Sequence, residues 1–118
     1  MNAVPGKLSA GVVGLGIGEQ HARAYLAHDS CSLRWLYDLD ATRAQKLVRE
    51  LGAGEAAGGF EEILQDRETQ VVSIASYDDA HRDQVVAALD AGKHVFVEKP
   101  LCRSESELRD IRQAWEKN

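Results

Sequence analysis

Three groups of residues in this chain combine type and spacing in ways that could do chemistry. The first is Gly14-Leu15-Gly16-Ile17-Gly18, which follows an apolar run ending in Val12 and Val13. Glycines there let the backbone turn tightly and approach a pyrophosphate, while free N–H groups at the start of a following helix face the anion. The spacing is tighter than the usual G-x-G-x-x-G: Glu19 stands at the third glycine position, where a charge is tolerable only if it points away. Gly18 is then expected to take over the packing role. Taken alone, the loop also suits S-adenosylmethionine, another nucleotide-like cofactor or a plain turn. The second group centres on Asp38, 24 residues after Gly14, where dinucleotide-binding folds place the acid that accepts hydrogen bonds from the adenosine ribose. A carboxylate there favours NAD; Arg43, close by in sequence, leaves NADP open, and a simple loop cap beside Asp40 is the plainer role. The third group is Glu98-Lys99-Pro100, directly after an apolar segment. Lysine offers three donors and a charge for holding a substrate oxygen or relaying a proton, and proline stiffens the chain that presents it. A solvent-facing Glu-Lys pair before a helix is the alternative.

The elements that must position these groups follow from periodicity. Strands are expected near 7–13, 32–37, 70–75 and 93–97, and helices near 19–28, 41–51, 79–91 and 104–116. Ala44, Leu47, Val48 and Leu51 fall at i, i+3, i+4 and i+7, with Asp40 placed to cap that helix and Gly52 to end it. Ser104 and Glu107 form an S-x-x-E capping box for the last helix, whose buried face is read as Leu108, Ile111 and Trp115. Between them, Gly54–Gly59 has room only for a very short strand, and Phe60, Ile63 and Leu64 mark one or two helical turns. Apolar strands too continuous to have a wet face, alternating with helices, imply an α/β fold: a doubly wound, Rossmann-type parallel sheet forming one domain over residues 1–118.

Composition limits the partners. The chain has 118 residues, 44% hydrophobic and 28% charged, within the globular range, so disorder is set aside. Its net charge of −5 gives no general attraction to nucleic acid or to anionic lipid, so an anionic ligand must be held locally. No apolar run approaches the ~20 residues of a membrane span. The start, MNAVPGKL, lacks the pattern of an export signal, and a cytoplasmic location is expected. Cys31 and Cys102, far apart and without C-x-x-C spacing, read as reduced thiols, and no metal site is expected.

The segments GLGIGEQHARAYL, YDLDATRA and above all AGKHVFVEKPL resemble the glucose-fructose oxidoreductase, inositol dehydrogenase and rhizopine-catabolism (Gfo/Idh/MocA) family across essentially the entire chain. The resemblance implies a Rossmann domain that binds NAD or NADP, with Gly14, Gly16 and Asp38 holding cofactor. It further implies Lys99 beside the nicotinamide and substrate, Glu98 ordering that corner, and a cis Lys99–Pro100 peptide. Where the family commonly has Thr-Pro after the fourth strand this chain has Ser76 and Tyr77, so the cleft wall differs, and Tyr77 could stack on a ring. His81 matches a frequent family histidine and reads as a satisfied, partly buried side chain rather than a catalytic one. His21 reads likewise, and His28 and His94 have no nameable partner. The expected cofactor-binding set is Gly14, Leu15, Gly16, Ile17, Gly18, Asp38, Arg43, Ser76, Tyr77, His81, Glu98, Lys99 and Pro100, with Lys99 also catalytic.

The family's second domain, which supplies most substrate contacts and usually a catalytic histidine, follows a sixth strand, and the 118 residues read as the cofactor half alone. The expected function is therefore the nicotinamide-dinucleotide-binding part of an oxidoreductase that transfers hydride to or from a secondary alcohol of a sugar or cyclitol, binding cofactor without substantial turnover by itself. A non-catalytic dinucleotide sensor or dimerisation module is the alternative, since an uncovered fifth strand invites self-association. A methyltransferase is disfavoured: Val12 and Val13 stand where such enzymes usually carry an acid, and Glu-Lys-Pro has no role in them.

Overall fold

The computed structural model describes residues 5–118; the first four residues of the start read above lie outside it. In chain order the elements are β1 (Leu8–Val13), α1 (Gly18–Ala27), β2 (Cys31–Tyr37), α2 (Ala41–Leu51), β3 (Glu55–Ala56), α3 (Phe60–Gln65), β4 (Val71–Ile74), α4 (His81–Asp90), β5 (His94–Val97) and α5 (Glu105–Lys117). Every pairing is parallel and the sheet order is β3-β2-β1-β4-β5. Successive strand residues point to opposite faces, and β1 divides accordingly. Val12 joins Leu15, Ala22, Leu36, Ala44 and Leu47 under α1 and α2, whereas Val13 joins Ile63, Ile74, Val85, Ala88 and Ile111 under α3, α4 and α5. This two-sided burial is why the central strands carry apolar residues without alternation.

Local chemistry sets the helix ends. Asp40 caps α2 by accepting from Thr42 N, and Gly52 closes it in the left-handed region at φ 65°. At α5, Ser104 Oγ accepts from Glu107 N at 3.1 Å while Glu107 reaches back to Arg103 N at 2.8 Å, one residue beyond the usual box. Two details differ from the sequence reading. The segment expected as one helix over 79–91 opens with a 3₁₀ turn at Asp78–Ala80, because Ala80 N bonds to Tyr77 O at 2.9 Å, and α-helical bonding starts only at His81. On α5, Ile111 is buried as expected, but Leu108 and Trp115 are exposed, and Ala114 and Glu107 complete the buried face instead. Among the described residues no helix is long and apolar enough to cross a membrane.

Candidate functional site

Four strands end level. Tyr37, Val13, Ile74 and Val97 are partners in one row across β2, β1, β4 and β5, so Asp38, Gly14, Ala75 and Glu98 leave the sheet along a single rim. The strand order reverses at β1, with β2 and β3 on one side and β4 and β5 on the other, and the helices that follow β1 and β4 pack on opposite faces of the sheet. Between the loops after β1 and β4 lies a cleft of about 510 Å³, lined by the glycine loop, Tyr37 to Asp40, Arg43, Ala75 to Asp78, Ala80 and Gln84.

The glycine loop is shaped by contact as well as by freedom. Gly14 sits at φ +83°, and a Cβ there would fall 2.6 to 2.7 Å from Ser76 N and the Ala75 carbonyl, so the loops after β1 and β4 meet backbone to backbone. A Cβ on Gly18 would stand 3.0 Å from Val12 Cγ1, which means α1 sits hard on β1 and Gly18 does the packing expected of a third glycine. Gly16 faces open space. Glu19 is drawn along the helix to Arg23, at 3.0 Å, which directs its charge away from the loop. No side chain caps α1, and no acceptor among the described residues takes the N–H of Gly16 or Ile17. Unpaired N–H groups at a helix start are a seat for an anion.

Asp38 does two jobs already. Its Oδ2 accepts from Leu15 N at 2.8 Å and its Oδ1 from Asp40 N at 2.9 Å, so one carboxylate fixes both the glycine loop and the turn into α2. A carboxylate has about four lone-pair sites, which leaves room for ligand hydroxyls. Arg43 Nη1 lies 3.9 Å from Oδ2. Leu15 lines the cleft, with its side chain buried toward the core and its N–H held by Asp38. Around the mouth stand the exposed side chains of Ile17, Leu39 and Tyr77, while Ser76 Oγ donates to Gln84 Oε1 in the wall. Leu39 and Gln84 were not singled out from sequence. The signal for Leu39 was its place between Asp38 and Asp40; Gln84 gave none.

The Glu-Lys-Pro corner continues the rim. Glu98 N bonds to Ile74 O at 2.8 Å, and the Glu98 carboxylate accepts from His21 Nε2 at 2.8 Å, 77 residues away in sequence. The His21 bond, reinforced by its charge and by Lys99, holds the Glu98 carboxyl below the usual carboxylate range. The His21 ring meets Phe96 edge-on at 5.2 Å. The Lys99–Pro100 peptide is cis, and Lys99 is exposed with no ion-pair partner among the described residues. His81 is placed differently from the cofactor contact expected of it. It is buried, outside the cleft lining, and its ring nitrogens meet Pro100 O and Ser76 O, which leaves no ring atom free for a ligand. Among the described residues no group of three or more His, Cys, Asp and Glu side chains could hold a metal.

Comparison with known proteins decides the family. Residues 8–118 match the Gfo/Idh/MocA family model, described as an oxidoreductase family with an NAD-binding Rossmann fold. The chain belongs to that family. It is 34% identical over 115 residues to inositol 2-dehydrogenase of Salmonella typhimurium, covering 94% of this chain and 34% of the relative. A probable dehydrogenase from Thermotoga maritima superposes with a TM-score of 0.89 at 31% identity, over 93% of this chain and 33% of that one. GenD2 from gentamicin A biosynthesis, solved in complex with NAD, gives a TM-score of 0.88 at 28% identity, over 99% of this chain and 34% of its own. The chain thus spans about a third of the length of these relatives. It is an NAD-binding Rossmann domain of the Gfo/Idh/MocA oxidoreductases, and the cleft at its strand reversal lies where such folds bind nucleotides.

Proposed function

We propose that the cleft holds a nicotinamide dinucleotide, with its pyrophosphate on the N–H groups at the start of α1 and its adenosine ribose hydroxyls donating to Asp38. One observation carries this reading: an uncapped helix start with unpaired N–H groups at Gly16 and Ile17 opens onto a cleft that the Asp38 carboxylate also lines. Gly14 and Gly18 keep the loop low against Ala75 and Val12. Ile17, Leu39 and Tyr77 offer apolar contact to the rings, and Arg43 beside Asp38 leaves room for NADP as a weaker ligand.

At the other end of the rim Lys99 is the catalytic candidate. Its unpaired ammonium would hold the hydroxyl oxygen of a secondary alcohol and take part in the proton path, while Glu98, braced by His21, and Pro100 order the turn that presents it. Bound NAD supplies the hydride acceptor. A cyclitol or sugar is the proposed substrate class, from the name of the Salmonella relative. The groups that grip it are proposed to lie in the two thirds of such relatives that this chain does not span, so the 118 residues bind cofactor with little turnover. A cytoplasmic location belongs to the same proposal. A second reading, a dinucleotide sensor or dimerisation module, draws on β5, an open edge of the sheet with Phe96 exposed.

Calorimetric titration with NAD, NADP and S-adenosylmethionine tests the proposal, repeated on Asp38→Ala. NAD binding weakened by Asp38→Ala supports it. Binding of S-adenosylmethionine alone, or of none of the three by a folded chain, overturns it, and in the second case a concentration-dependent dimer in sedimentation moves the module reading forward.

A further inference from the structure

His81 is the buried titratable group that the proposed chemistry leaves unused. Only 1% of it is exposed, its Nδ1 lies 2.6 Å from Pro100 O, and its Nε2 lies 3.0 Å from Ser76 O. Both partners are backbone carbonyls, which only accept hydrogen bonds. A neutral imidazole has one N–H, so one of the two contacts would set a ring lone pair against a carbonyl lone pair at hydrogen-bond distance. With the side chain sealed from solvent, water cannot relieve that contact.

We infer that His81 is an imidazolium, donating from both ring nitrogens, and that it acts as the positioning residue joining the loop after β4 to the turn that carries Lys99. Two terms oppose a cation here: burial, and the position of His81 at the first residue of α4, where the helix dipole is unfavourable. His81 lies within the first turn, where the dipole term acts, but that term is weaker than a charge-assisted hydrogen bond in a buried site, and the ring makes two such bonds. The charged groups on neighbouring elements are engaged elsewhere. Arg82 bonds to Asp83 and Asp110, Glu107 to Arg103, and Glu98 to His21, while Asp78, Asp79 and Lys99 are exposed and not bonded to the ring. The carbonyls of Ser76 and Pro100 therefore hold the charge themselves. Functionally, the two loops so joined flank the proposed nicotinamide corner. That meaning rests on the proposed function; the protonation does not.

The test is a long-range ¹H–¹⁵N spectrum of the ¹⁵N-histidine-labelled 118-residue chain without nucleotide, recorded from pH 6 to 9. His28→Gln and His94→Gln, both at exposed positions, and His21→Gln assign the remaining signals, so the result does not depend on whether His81→Gln folds. Both nitrogens of His81 are expected to carry protons at pH 7. The backbone amides of Tyr77 and Leu101, next to the two carbonyls, should shift together in His81→Gln. A bare nitrogen on His81 at pH 7 overturns the inference while leaving the cofactor reading intact. Failure of NAD to bind would do the reverse.

Discussion

The two ends of the sheet use similar residues in opposite ways. Lys93 immediately precedes β5 and Lys99 follows it by two residues. Lys93 is 8% exposed and its Nζ donates to Asp66 O at 2.6 Å, with burial lowering its pKa; Lys99 is exposed and unpaired among the described residues. Arg34, inside β2, is buried against Asp66, whereas Arg43 stands half in solvent beside Asp38. Asp66 gathers Arg34, Trp35 Nε1 at 2.7 Å and Thr69 Oγ1 at 2.7 Å. At that end the polar groups answer one another, apart from Arg34 Nη1, which is buried without a hydrogen-bond partner among the described residues. At the cleft rim, backbone N–H groups, a lysine and part of a carboxylate are left open.

The largest effect should come from breaking the closed end. Asp66→Asn leaves the Arg34 guanidinium buried without its counter-charge, and breaking such a pair costs about 3–5 kcal/mol. Urea unfolding should show it, with the midpoint reduced and the slope unchanged. The pH dependence has a definite sign. Burial raises the Asp66 pKa, but the bonds from Arg34, Trp35 and Thr69 outweigh it and hold the carboxyl well below the usual range. Its stabilisation is therefore full above the unfolded-state value of about 3.9 and is lost as pH falls toward the depressed folded value. The gap between wild type and Asp66→Asn should narrow below about pH 4; a constant gap down to pH 2 would count against the ion pair.

Within the glycine loop the same contrast separates two positions two residues apart. Gly14→Ala forces a Cβ into the Ala75–Ser76 backbone at positive φ and should cost at least about 2 kcal/mol of stability. Gly16→Ala meets nothing in the protein, so stability should stay within about 0.5 kcal/mol while NAD affinity falls roughly tenfold. Equal loss of stability at both would mean that the loop is only a turn. Asp38→Ala lies between: losing hydrogen bonds to a charged group costs about 1.5–3 kcal/mol, a ten- to hundredfold loss of NAD affinity by calorimetry, with a smaller loss of stability from the freed Leu15 and Asp40 N–H groups.

The fold was legible because its signals are local. Val12 and Val13 before the glycines, the i, i+3, i+4, i+7 pattern of α2 and the box at Ser104 and Glu107 each fix an element from a few neighbours. The rim was legible as well, since Gly14, Asp38 and Glu98 each end a strand. The contacts that join distant strands were hidden. Nothing near His21 announces Glu98, nothing near Arg34 announces Asp66, and the burial of Leu15 depends on α1 and α2 packing over β1. Periodicity misled at Leu108 and Trp115, which share helical spacing with Ile111 although α5 turns Ala114 and Glu107 inward instead.

The smallest effect is the sharpest on function. Lys99→Met removes an exposed, unpaired charge, so the urea midpoint should scarcely move, by less than about 0.5 kcal/mol, and NAD affinity should change by less than about threefold. Lys93→Met, at the other end of the same strand, takes a buried donor from Asp66 O and should cost about 1–2 kcal/mol without touching NAD binding. If Lys99→Met instead destabilised the chain as much as Lys93→Met, Lys99 would be holding the fold together, and its proposed place in the proton path would lose its basis. If it abolished NAD binding with the fold intact, the ammonium would be an anchor for the cofactor rather than a group kept free for the substrate.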